Sequence, residues 1–228
     1  MINARRRRPI RVAMTRRLGL VALAAAVLAS TALASPGSRE RRAITAADQA
    51  WAKRINLTLR DLPAGYRQGD AQPSNSGGLT CPGFAPDLSR FTITGEATSR
   101  QFLTAAGASI FSSAEVFRTA ADERGDWALS ARREALTCLR QQLQKAVGTA
   151  AKVAATVRTA PRLGERSISY RTTLAVAANG VRVTVWLDVL GVARGRADVS
   201  LVAMSVRTPP SAALERSLLA KLASRLAG

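Results

Sequence analysis

The chain has 228 residues, 34 basic against 15 acidic, a formal charge of +19, two cysteines and no histidine. The lack of histidine removes Ser-His-Asp and Cys-His triads, HExxH zinc sites and the commonest general base at once. Aromatic residues are only 4% of the chain and are not interleaved with the basic ones, so no stacking platform for nucleic acid is expected.

Residues 1–34 predict a secretory signal peptide. Seven arginines, Arg5 to Arg17, precede an apolar run from Leu18 to Ala29, and Ala32-Leu33-Ala34 supplies an A-x-A cleavage pattern. The alternative is a retained anchor. The strictly apolar run is 12 residues, however, and a spanning helix needs about 20. Cleavage after Ala34 leaves 194 residues, with 27 basic against 15 acidic and a balance of +12. That charge favours attraction to polyanions such as anionic lipid or wall polymers, which makes an anionic envelope component a candidate partner.

Residues 35–42 read as a linker and 43–228 as one domain. Residues 43–59 predict a helix capped by Thr45, with Ala47, Ala50, Trp51, Ile55 and Leu59 as its buried stripe. Residues 66–70 suggest a strand and 71–78, rich in Pro, Ser, Asn and Gly, a loop. Strands are expected over 91–95, 97–103 and 108–117, and a charged break or short helix over 122–126. Residues 132–147 predict a helix with Leu136, Leu139, Leu143 and Val147 on one face.

Four strands follow, over 152–158, 167–177, 181–190 and 196–207. Asn179-Gly180 signals one hairpin and residues 191–195 the next. Pro209-Pro210 opens a final helix with Leu214, Leu218, Leu219, Leu222 and Leu226 as its stripe. The fold class is α+β, an antiparallel β-sheet with helices packed on one face. Consecutive strands without crossover helices argue against a parallel sheet.

Cys81 and Cys138 form an even pair, which in an oxidising compartment reads as a disulfide, with two buried thiols as the alternative. Two cysteines without histidine cannot complete a zinc set unless carboxylates join them. No metal or cofactor is expected. A two-carboxylate hydrolase would have to draw on acids such as Asp126, Glu134 or Asp188, which read as surface charges.

The ligand-binding candidates are Arg171, Arg182, Thr184, Trp186 and Asp188, with Thr173 beside them. They share the mixed face of two neighbouring strands, where a Trp between an Arg and an Asp could floor a groove. The alternative is a Trp covered by the terminal helix, with Arg and Asp paired.

Leu62-Pro63-Ala64-Gly65-Tyr66, Cys81, Ser112 to Phe117, Leu136-Thr137-Cys138-Leu139 and the strands from Val181 to Val206 resemble the actinobacterial secreted sensor-like domains. These are similar to the extracellular sensor domain of the mycobacterial serine/threonine kinase H and to the Mog1/PsbP-like lipoproteins. The resemblance spans residues 45–228. It implies an antiparallel sheet with helices and a ligand cleft without catalysis. No kinase, lipobox or second disulfide accompanies it, so it carries over fold and compartment and no binding residue. The expected function is an exported, non-catalytic domain binding a small or polymeric ligand. The alternatives are an accessory protein docking on an anionic membrane or partner, and a histidine-free hydrolase.

Overall fold

The computed structural model describes residues 39–71, 79–178 and 181–227. The expected leader and the turn expected at Asn179-Gly180 lie outside the described residues, as does most of the loop expected over 71–78. A nine-stranded sheet runs β1 (Arg41–Arg42), β3 (Thr92–Thr98), β5 (Ser109–Phe117), β9 (Ala197–Val206), β8 (Val181–Arg194), β7 (Arg166–Ala178), β6 (Ala151–Val157). Off this path, β4 (Arg100–Thr104) pairs with both β2 (Tyr66–Ala71) and β5. All pairings are antiparallel except that of β1 with β3. The α+β class and antiparallel sheet are those predicted.

Helices cover both faces rather than the one expected. Helix α1 (Ala46–Ile55) and the last helix, α4 (Ala212–Arg225), bury Ala52, Ile55, Leu218 and Leu222 against Leu190, Val199 and Leu201. On the opposite face α3 (Arg133–Val147) packs Leu143 on Val153, Leu174 and Leu187. Helix α2 (Ala120–Ser130) lies beside it over β5 and β9. The reason is visible in β8 and β9, where consecutive residues are apolar and both sides need cover.

Helix α2 takes up the short-helix alternative of the stretch expected over 122–126 and extends it to Ala120–Ser130. Thr119 caps it, its Oγ1 accepting the Asp122 N–H at 3.0 Å. Gly125 persists mid-helix because the Phe91 ring fills the space of a side chain: a Cβ there would lie 2.4 Å from Phe91 Cε1. In α1 the Thr45 cap forms as expected, but the helix stops at Ile55. Asn56 donates to Ala52 O and Ala97 O, and accepts from Ser112 Oγ. The buried stripe is Asp48, Ala52 and Ile55, whereas Ala47 and Ala50 are exposed and Leu59 is 42% exposed. The helix is rotated because Asp48 turns inward to a bidentate pair with Arg196, at 2.6 and 2.8 Å.

Strand limits shift in three further places. The break expected at residue 96 falls at Ser99, whose backbone and hydroxyl bond Ser112. Arg41–Arg42, placed in the linker, pair as β1. Strand β8 runs on through residues 191–194, and the turn tightens at Gly195. Cys81 and Cys138 form a disulfide, with Cα atoms 5.6 Å apart, tying the segment after the loop to α3. No described helix is long and apolar enough to cross a membrane.

Candidate functional site

The residues singled out on β7 and β8 come together as predicted by register: Arg171 opposes Asp188, Thr173 opposes Trp186, and Thr184 and Arg182 follow opposite Ala175 and Ala177. The Arg182 side chain is outside the described atoms. Asp188 is fully buried. It accepts Arg171 Nε at 2.7 Å, a second bond from Arg171 Nη2, and Arg158 Nη1 at 2.8 Å. The Arg171 guanidinium lies 5.2 Å from the Trp186 ring centre. Arg158 reaches on to Glu215 of α4 at 3.2 Å. Burial, with the Asp188 charge beside it, pushes Glu215 up to about 8. On this face the charged groups are occupied by one another, and the network anchors the terminal helix.

A different constellation stands on the opposite face, under α2. The register lays out three cross-strand rows. The first is Glu96, Glu115 and Asp198; the second is Thr98, Ser113, Ser200, Gly191 and Ile168; the third is Phe111, Val202 and Val189. Asp126 and Trp127 descend from α2 onto them, enclosing a cavity of about 330 Å³. Gly191 makes this closure possible, since a Cβ there would lie 3.1 Å from Trp127 Cη2 and 3.0 Å from Ile168 Cγ1.

At one end of the cavity the carboxylate oxygens of Glu115, Asp126 and Asp198 lie within 4.8 Å of one another. Two acids directly opposite on adjacent strands repel, and burial adds to the cost. Burial pushes Glu115 up to about 8, with the Asp126 charge second, and Asp126 up to about 7, with Glu40 and Glu123 adding. Asp198 is raised well above the usual carboxylate range by burial and by Glu115. Of the neighbouring acids, Glu96 pairs with Arg42 at 3.0 Å, and one oxygen of buried Glu123 pairs with Arg166 while its other oxygen is buried without a hydrogen bond. Glu115, Asp126 and Asp198 form no ion pair or side-chain hydrogen bond with any described residue. Asp126 is 8% exposed, and its carboxylate borders the cavity.

Glu134 is exposed as expected, but Asp126 and Asp188, read as surface charges, are both buried. One sequence signal bears on the cleft. Phe111-x-Ser113-x-Glu115 and Asp198-x-Ser200-x-Val202 are the same polar gradient written in opposite directions, and antiparallel pairing superimposes them. The cleft can hold a cation at its acidic end and an uncharged group on its hydroxyl and aromatic floor. The fold is of the α+β class, and the cleft under α2 is polarised from acid to hydroxyl to apolar. No protein-family model, curated protein or solved structure matches the chain.

Proposed function

We propose that this chain is an exported, non-catalytic binding domain whose ligand is a small cation held in the cleft under α2. One observation carries the reading: three carboxylates converge in a cavity, and the most buried of them, Asp126, has no cationic partner among the described residues. The chain has more than twice as many basic as acidic residues, so three converging acids with no arginine paired with them among the described residues support a role in holding a ligand's positive charge. The leader, the disulfide and the likeness to secreted sensor-like domains support an extracytoplasmic setting. The test is calorimetric titration of the leaderless protein with inorganic and organic cations. Saturable binding lost in the E115Q/D126N/D198N variant supports the reading. Failure of every cation to bind rejects it.

A histidine-free hydrolase is favoured by a single observation, carboxyls at about 7 and about 8, which suit a general acid at neutral pH. A two-carboxylate mechanism also needs one acid stabilised as the anion, whereas all three are pushed upward together. Turnover of an activated glycoside that D126N abolishes would favour this second reading over binding alone.

A further inference from the structure

Resting on the cleft as a cation site, its shape narrows the class of ligand. The rows change from acid to hydroxyl to apolar along the strands. Each step is two residues, so at about 3.3 Å per residue the acids stand about 13 Å from the apolar row. The cavity of about 330 Å³ is of the size that takes a small organic molecule and far exceeds a bare ion. Half-buried Phe111 and Trp127 offer ring surface inside it, the kind of wall that favours organic ammonium groups.

The acidic end suits a primary ammonium. Its three N–H donors at about 2.8 Å would place acceptors about 4.6 Å apart, and the three carboxylates lie within 4.8 Å of one another. Asp126, buried and unmatched, borders the same space. A divalent ion would use this end alone and leave the hydroxyl and aromatic floor without a role.

We infer that the cleft binds a primary amine carrying an apolar chain or ring, its ammonium on Glu115, Asp126 and Asp198 and its hydrocarbon along Ser113, Ser200, Trp127 and Phe111. The uncharged part confers selectivity, and the acids confer the requirement for positive charge.

The leaderless protein is titrated with n-hexylamine, ammonium chloride, hexan-1-ol and calcium chloride by calorimetry at pH 8. Hexylamine is expected to bind at least tenfold more tightly than each of the others. D126N should weaken it at least tenfold, and F111S should weaken hexylamine while leaving ammonium unchanged. Both variants are checked by circular dichroism and melting, and E115Q serves as a second acid variant if D126N misfolds. Calcium binding as tightly as hexylamine would overturn the amine assignment and leave a cation site standing. Hexanol matching hexylamine would overturn it as well, by making the cleft merely apolar. No binding by any of the four would remove both the assignment and the cation-site reading beneath it.

Discussion

Replacing Asp126 with asparagine should make the protein more stable while destroying its cleft chemistry. In the fold this carboxyl is raised from 3.8 to about 7 by burial, with Glu40 and Glu123 adding, and Glu115 and Asp198 stand beside it. A group whose folded value lies above its unfolded one opposes folding at high pH, and the penalty fades as pH falls toward its unfolded value. Three units correspond to about 4 kcal/mol above pH 7. Solvent in the cleft and the buried amide reduce the net gain to about 2–3 kcal/mol. For a chain of this size that is a rise in melting temperature of about 5–10 °C at pH 8. The gain should shrink at pH 5 and vanish near pH 3.5. Calorimetric melting at those three values checks it. A lower melting temperature for D126N at pH 8, or a difference independent of pH, would refute the reasoning that Asp126 is a buried, unmatched charge.

Four other outcomes follow from the same structure. Amine binding should tighten from pH 6 to pH 9 as Glu115, Asp126 and Asp198 ionise, together with Glu123, which burial raises to about 7 beside Arg166, and Glu40, which burial also raises; a flat calorimetric profile would contradict this. Asp188→Ala should cost about 2–4 kcal/mol by denaturant melting, because Arg158 and Arg171 lose their buried partner, whereas Glu215→Gln should be near neutral at pH 7. Asp48 is held at about 2 by its Arg196 hydrogen bonds. Arg196→Ala should therefore cost about 1–2 kcal/mol above pH 4, the deficit disappearing as pH falls from 4 toward 2, in urea titrations. Replacing both cysteines with serine opens the link between residues 57 apart and should cost about 3–4 kcal/mol, seen as a fall in melting temperature of about 10 °C.

The class of fold is legible because its signals are local. Period-two alternation in the first half of β8, the leucine stripe of α4 and the even pair of cysteines each survive without tertiary knowledge. Helix α2 is only half legible, since Gly125 and its charged neighbours leave a break and a short helix both open over 122–126. It forms because Thr119 caps it and Phe91 packs where a side chain would be. Of the α1 stripe, Ile55 and Trp51 face the core as expected, whereas Asp48 and Ala52 replace Ala47 and Ala50 because the aspartate turns inward toward an arginine 148 residues away.

The cleft illustrates a harder limit. Glu115, Asp126 and Asp198 look like single surface acids in the sequence, and only strand register and the seat of α2 bring them together. The mixed face with Trp186 between Arg182 and Asp188 points instead to β7 and β8, where Arg171 and Asp188 turn out to be matched by each other and by Glu215 through Arg158. The mirrored gradients on β5 and β9 are the one trace of the site in the sequence. They become informative only once the two strands are known to be neighbours.

The most direct measurement is a calorimetric titration of the leaderless protein with n-hexylamine at pH 8, run in parallel on E115Q/D126N/D198N. The account predicts saturable one-to-one binding by the native protein and none by the variant. Equal heats from the two proteins, or none from either, would contradict it.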